Sequence, residues 1–442
     1  MSLASSLAAL SDGSLPATFD GLRTHLPLEW IKACLEDPGI AKLRRRKFPL
    51  ENVVWLIIGM ALFRNRPISE IVERLDLILP GKKGERQDIA KGSISPARDR
   101  LGVEPLRSLF EVTARRWAEE SVKRYSWRGL TLLGIDGTTL RVPDSAENRR
   151  VFEAHSGSNY PMVRLAMLMA LRSRIALDCS FAGCRTGEST LAKDLLVSIP
   201  DHSLTILDRY FHSYAMWHSI RMSGENRQWL VRAREDLRVW KTIERFGPGD
   251  ELAEIRVTAT TRKAHPELPE TLRIRVIRYR RAGFKTRILV TSLLDPKLYP
   301  AREVAELYHE RWELELAYDE IKTQTLERRE AVRSQSPERV RQEILGIMIA
   351  YNLVRREMEG MALKLNLPAN RISFQATLMM MRDLFYWAEV ANPGKLPAMF
   401  AEMRLKLEAF VLPPRRQRRY PRVTKMRVAK YGLTTERRTQ KS

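Results

Sequence analysis

Apolar residues recur at three- and four-residue spacing in LPLEWIKACLED (26–37), ENVVWLIIGMALFRN (51–65) and ISEIVERLDLIL (68–79), which predicts amphipathic or buried helices. Ser93 to Pro96 reads as a turn and helix start, with a helix running on through ARDRLGVEPLRSLFEVTARRWAEE. From about residue 129 the period changes. LTLLGID (130–136), VRLAMLMAL (163–171), RIALDCSFAG (174–183) and LTILD (204–208) are short apolar runs of the kind that form buried strands. TLAKDLLVSI (190–199) and YFHSYAMWHSI (210–220) read as helices among them. Strands followed by alternating helix and strand predict a mixed sheet with helices on its faces. Over residues 236–297, ELAEIRVTAT, TLRIRVIRY and TRILVTSL alternate apolar and polar positions between Gly-, Pro- and charge-rich turns, which predicts a β-rich, antiparallel patch. Helices follow at 301–330, 336–364 and 370–410.

Charge narrows the partner. Lys plus Arg number 76 against 53 Asp plus Glu, a formal net charge of +23, which suits a polyanion. The basic residues are spread along the chain without an amphipathic anchor, so nucleic acid is favoured over a membrane surface. The longest apolar run, Val53 to Phe63, is too short to span a bilayer and reads as a buried helix. No positively charged segment precedes an apolar core at the start, so no signal peptide is expected. Cys34, Cys179 and Cys184 make no disulfide framework and read as small thiols of a reducing compartment. Arg44, Arg45 and Arg46, followed by Lys47, sit between predicted helices as a DNA-contacting cluster or a solvated surface. The segment from Arg415 to Lys441 holds eleven Lys or Arg and one Glu, a composition expected to stay disordered without a partner.

Two aspartates stand at the ends of buried-looking strands: Asp136 in GIDGTTL and Asp208 in TILDRYF. Ligands of open α/β sheets bind at such strand ends, although an Asp there also serves as a turn former or cap. A third acid comes from the helix YHERWELELAYDEIKT. At about 100° per residue, Tyr308, Arg311, Glu315 and Lys322 fall within an arc of about 60°, beside an apolar stripe of Leu307, Leu314, Tyr318 and Ile321. That face is either a functional stripe or a solvated surface of helical ion pairs, and Asp319 competes with Glu315 for the role of third acid. Three carboxylates on two strands and a helix suit two Mg²⁺ ions about 3.5–4 Å apart that clamp the attacking and leaving oxygens of a phosphodiester. Mn²⁺ is expected to substitute. Nearby Arg, Lys and Tyr would hold flanking phosphates. No GxxxxGK[ST] is present, so no ATP-driven motor is indicated.

Tyr308, Arg311, Glu315 and Lys322 stand at a Tyr-x2-Arg-x3-Glu-x6-Lys spacing, and with the two Asp blocks they resemble the DDE transposases of the bacterial insertion sequence four family. PDSAENRRVFEAHSG (143–157) and SPERVRQEILGIMIAYNLVRREM (336–358) carry the resemblance further, over roughly residues 20–425. The resemblance implies an α/β fold: a ribonuclease H-like catalytic core with a β-rich insertion, flanked by helical N- and C-terminal regions. Asp208 and Glu315 are 107 residues apart, far more than a compact core needs, and the β-rich patch accounts for the excess. It also implies that Glu315 rather than Asp319 is the third catalytic and metal-binding acid. Tyr308, Arg311 and Lys322 would then contact DNA near the cleaved end.

The expected organisation is a helical DNA-binding region at 1–125, a catalytic core at 126–330 interrupted by the insertion at about 236–297, a helical region at 331–414 and a basic tail at 415–442. The expected function is metal-dependent cleavage of transposon ends and strand transfer. Its partners would be double-stranded DNA (terminal inverted repeats and target) and a second copy of the chain in a synaptic complex, in the bacterial cytoplasm at the nucleoid. The competing readings are a structure-selective nuclease or resolvase on the same core, and a decayed or domesticated copy that only binds DNA. An RNA-binding protein has only the net charge in its favour, since no RGFGFV-like strand is present. Some relatives flip a base onto an aromatic of the insertion; Trp229, Trp240, Phe246 and Phe284 are candidates, with burial in the core favoured for each.

Overall fold

The computed structural model describes residues 25–36, 48–75, 90–154, 159–234, 240–281, 285–327, 331–388, 398, 402 and 411–413. Arg44, Arg45, Arg46, Phe284 and the basic tail at 415–442 lie outside the described residues.

Among the described residues, five helices come first: α1 (Leu28–Leu35), α2 (Leu50–Leu62), α3 (Ile68–Arg74), α4 (Lys91–Leu101) and α5 (Glu104–Tyr125). The predicted turn at Ser93–Pro96 is instead inside α4, where Pro96 stands in the second turn and removes one i→i−4 bond of the ladder. The break comes at Gly102, whose φ of +69° ends α4 in a conformation that suits glycine. Helix α2 is buried from Asn52 to Leu62, as its unbroken apolar run requires. No described helix is long and apolar enough to cross a membrane.

Among the described residues, nine strands form one sheet: β1 (Thr131–Arg141), β2 (Met162–Ala170), β3 (Ala176–Gly183), β4 (Ser203–Leu207), β5 (Arg227–Arg232), β6 (Lys241–Gly247), β7 (Asp250–Arg256), β8 (Thr271–Tyr279) and β9 (Arg287–Thr291), in the order β3-β2-β1-β4-β5-β9-β8-β7-β6. The first three make an antiparallel meander, and β1, β4 and β5 run parallel. This is the mixed α/β core expected of a ribonuclease H-like fold. The β-rich insertion is antiparallel as predicted, but it is not a separate patch: β9 pairs with β5 and extends the core sheet. Two strands, β5 and β6, escaped the sequence reading, and the residues read as continuing β7 form a short helix (Ala259–Ala264) capped by Thr258.

Strand alternation divides the side chains between two layers. Leu132, Leu204, Ile206, Leu230 and Leu289 pack into one apolar cluster with residues of α2, α5 and helix α12 (Pro337–Lys364). Leu133, Ile135, Leu207 and Val231 face the other way, onto α7 (Glu188–Asp194) and α8 (Tyr214–Met222), where Trp217 stacks on Trp229 at 4.5 Å. Helices α2 and α12 approach closely at Gly346, where a Cβ would meet the Ile57 backbone oxygen at 2.9 Å. The N-terminal helices and α12 therefore share one core with a face of the sheet.

The segment read as one helix from 301 to 330 is broken in character. α10 (Ala301–Leu307) passes into a tight 3₁₀ turn (Tyr308–Arg311), then α11 (Trp312–Asp319), then a π-helical stretch (Glu320–Thr325). The uniform 100° step assumed above does not hold across it, because 3₁₀ and π turns close on i+3 and i+5.

Candidate active site

Asp136 is not at the end of its strand, since β1 continues to Arg141 beside β2. It lies where the parallel neighbour stops: β1 and β4 pair from Thr131–Ser203 to Ile135–Leu207, and Asp208 is the next residue of the β4 chain. The two aspartates thus stand side by side at the mouth left by the end of β4. Side chains alternate along a strand, and Leu132 and Leu204 belong to the helix α12 layer, so Asp136 and Asp208 open onto that same face. Leu314 of α11 covers this face at Gly134, where a Cβ would lie 2.6 Å from its Cδ1. Glycine at 134 therefore lets the Glu315 helix lie directly on β1.

Each acid is held. Asp136 Oδ1 accepts the Gly137 N–H at 2.9 Å, and the Tyr318 hydroxyl donates to the Asp136 carbonyl at 2.6 Å. Asp208 Oδ1 accepts the Tyr210 N–H at 3.0 Å, so it does cap the following turn, while its Oδ2 lies 3.8 Å from Arg311 Nη1. Arg311 Nη2 donates to Glu315 Oε1 at 2.7 Å. One guanidinium therefore joins the second aspartate to the helix acid. Asp319, the competitor, is exposed and accepts the Thr323 hydroxyl at 2.8 Å. Tyr308 is buried rather than on an open stripe, and burial pushes its hydroxyl up to about 12. Lys322 lies half-buried in the π-helical stretch.

The structure adds a fourth carboxylate that sequence reading missed. Glu188 opens α7 and reaches β1 from the face opposite α11. Its Cδ and Oε1 lie 2.4 and 2.8 Å from where a Gly137 Cβ would be, so any side chain at 137 would expel it. The traces in sequence were slight: a glycine directly after Asp136, and Gly187-Glu188 ahead of a helix. Burial pushes the Asp136 carboxyl up to about 6, reinforced by Glu188 and Asp208 and opposed by the Gly137 N–H and Arg311. Burial also raises the Glu188 carboxyl, with Asp208 adding to it and Arg164 and the Gly137 N–H opposing. Neither acid forms an ion pair among the described residues.

Behind the helix the acids are fully answered. Arg174 donates to Glu313 at 2.7 Å and also binds Glu320; Arg355 and the Tyr351 hydroxyl reach Glu320 at 3.4 and 3.2 Å. Arg355 also donates to the Ser173 carbonyl at 3.0 and 2.7 Å. This network ties α11 to the β2–β3 turn and α12, and sets which way Glu315 points.

The site offers oxygen donors alone, which fits a hard divalent cation. As placed, no three His, Cys, Asp or Glu side chains among the described residues lie close enough to hold one, and Arg311 sits between Asp208 and Glu315. The described aromatic candidates are engaged in the fold: Trp229 on Trp217, Trp240 with Glu251 at 3.1 Å, and Phe246 under Arg275 at 5.8 Å.

Comparison with known proteins identifies the family. Residues 16–111 match the family model of the insertion element 4 transposase N-terminal region, and residues 127–353 match the transposase DDE domain. The chain is 37% identical over 425 residues to the transposase InsG for insertion sequence element IS4 of Escherichia coli K12, covering 95% of this chain and 94% of that protein. It is 33% identical over 301 residues to the putative transposase InsZ of the same organism, covering 63% of this chain and 97% of that one. Among solved structures, a piggyBac transposase synaptic complex with hairpin DNA aligns with a TM-score of 0.43 at 12% identity, over 89% of this chain and 82% of the other.

Proposed function

The chain belongs to the IS4 family of DDE transposases, DNA-cleaving and strand-transferring enzymes that use divalent metal ions, and from that premise we propose that Asp136, Asp208 and Glu315 are its catalytic, metal-holding acids. The observation that carries the reading is the meeting of Asp208 and Glu315 on one guanidinium, beside Asp136, where β4 ends. The ions are two Mg²⁺, with Mn²⁺ able to replace them. When bound, they would activate the attacking water or 3′-hydroxyl and stabilise the leaving 3′-oxygen.

The chain's own residues prepare that chemistry. The Gly137 N–H and the Tyr318 hydroxyl fix Asp136, and the Tyr210 N–H holds one oxygen of Asp208 so that the other turns inward. Glu188 adds a fourth negative charge from the opposite face. Arg311 presents a planar fork of donors that matches a phosphate as well as a carboxylate. An incoming scissile phosphate would draw it off Asp208 and Glu315, freeing both acids. Tyr308 stays neutral at physiological pH, its hydroxyl held protonated by burial. Together with Lys322 it contacts the flanking phosphates. The substrate is double-stranded DNA carrying the element's terminal inverted repeats, and a homodimer holds the two ends and the target.

The test is cleavage of a labelled duplex bearing the element's ends, in Mg²⁺ and in EDTA, by wild type and by Glu315→Ala. The expected result is Mg²⁺-dependent nicking at the ends, lost in the variant with DNA binding kept. Retained cleavage after substitution of Asp136, Asp208 or Glu315 by alanine would overturn the assignment of that acid.

A further inference from the structure

The sheet edge that carries Asp136 and Asp208 does not stop at β5. Because β9 pairs with β5 and β8 with β9, the same edge continues into the insertion, through the end of β5, the start of β9 and the end of β8. Arginines stand at these positions: Arg232 is the last residue of β5, Arg287 the first of β9, and Arg281 follows β8 by two residues. Register places them on one face. Arg232 pairs with Leu289 and Tyr279 with Arg287, while Leu230, Ile277 and Leu289 of the same parity lie in the α12-side layer. That is the face onto which Asp136 and Asp208 open.

Among the described residues, these three arginines differ from Arg275 and Arg278 in having no carboxylate partner. Arg275 is buried and bidentate to Asp250 at 2.7 and 2.6 Å, and Arg278 reaches Glu251 at 2.7 Å. Arg232 and Arg287 are half-buried and Arg281 exposed, and none has a hydrogen bond or ion pair among the described residues. Guanidinium stays charged at any physiological pH, so the row is a standing excess of positive charge. It also connects with the catalytic helix. Arg232 and Asp208 both act on the Tyr308 hydroxyl, Arg232, Arg281 and Arg287 act on Tyr279, and Tyr279 packs edge-on against His309 at 5.7 Å.

We propose that Arg232, Arg287 and Arg281 form a phosphate track that holds the DNA strand leading away from the cleaved bond across the insertion. The proposal rests on the assignment of Asp208 and Glu315 as catalytic. From β4 to β8 is three strand spacings of about 4.8 Å, or about 14 Å in all. At one phosphate per about 3.4 Å of each strand, the track covers about four phosphates. It reads backbone charge and no sequence.

The experiment uses the full chain and a labelled duplex bearing the element's end, with binding measured against KCl concentration. The triple variant Arg232→Gln, Arg281→Gln, Arg287→Gln is compared with Lys263→Gln, Arg273→Gln, Lys297→Gln, which removes three cations near the opposite edge of the same sheet. Each phosphate contact contributes about 0.9 to the slope of log K against log salt, so the track variant should lose about 2.7 in slope and the control less than about 1. In wild type, methylphosphonates at the phosphates outward of those assigned to Arg311, Tyr308 and Lys322 should weaken binding, and in the track variant they should weaken it no further. Equal slopes for the two triples, or a wild-type slope in the track variant at unchanged melting temperature, overturns the track. Cleavage by Glu315→Ala, run alongside, is a separate reading: its retention overturns the catalytic assignment, whereas its loss with an unchanged track slope overturns the track alone.

Discussion

Glu313 and Glu320 lie two residues before and five after Glu315, yet the two sides of this helix are managed in opposite ways. On the buried side, two carboxylates meet Arg174, Arg355 and the Tyr351 hydroxyl, and every charge has a partner. On the open side, Asp208 and Glu315 meet Arg311 beside Asp136, and Glu188 approaches Asp136 from the opposite face of β1. Burial without a cation is costly for a carboxylate, and the raised Asp136 and Glu188 carboxyls are the mark of that cost. The buried side spends its charges on geometry and the open side keeps them for a ligand. A protein that had optimised stability alone would have paired both.

Four experiments test this contrast. The largest effect is on the open side: Glu315→Ala should lower the cleavage rate about 10⁴-fold, a barrier increase of about 5.5 kcal/mol, with urea stability nearly unchanged. Next, Arg174→Met on the buried side should cost about 3–5 kcal/mol in urea unfolding, because it strands Glu313 and Glu320, and added Mg²⁺ should not restore it. If Arg174→Met is harmless to stability, the two sides are not different in kind.

A smaller effect concerns pH. In EDTA, the Asp136 carboxyl titrates at about 6 in the folded chain against an ordinary 3.8, so the folded state binds more protons between those values. Stability should therefore fall as pH rises from about 4 to about 6, and Asp136→Asn should flatten that slope. A pH series of melting temperatures decides it. The smallest effect is that of the ion on stability: Mg²⁺ at about ten times its dissociation constant should add about 1.4 kcal/mol to wild type and less to Asp136→Asn. Equal gains in both would place the ion elsewhere.

The open side was the legible one. Asp136 and Asp208 follow apolar strand patterns, and Glu315 belongs to a spaced signature, so all three could be named from short windows of sequence. Glu188 could not, because its meeting with Asp136 depends on a missing Cβ at Gly137 and on α7 packing over β1. The buried network was equally hidden. Arg174, Glu313, Glu320 and Arg355 drew no reading from the sequence, since nothing local distinguishes a paired buried ion from a solvated one. The helical wheel also misplaced Tyr308, because the chain tightens to 3₁₀ there and loosens to a π turn after Asp319.

Hydrophobic periodicity was enough to predict most strands and helices of the core and their alternation, and net charge was enough to indicate a polyanionic partner, since those depend on residue type and short-range spacing. Tertiary structure alone decided that the insertion shares the catalytic sheet through β5 and β9, that Asp136 sits where β4 ends rather than where β1 does, and which carboxylates find a cation. Strand pairing and ion pairing join residues tens to hundreds of positions apart, and local pattern carries no information about which of many compatible partners the packed core brings together.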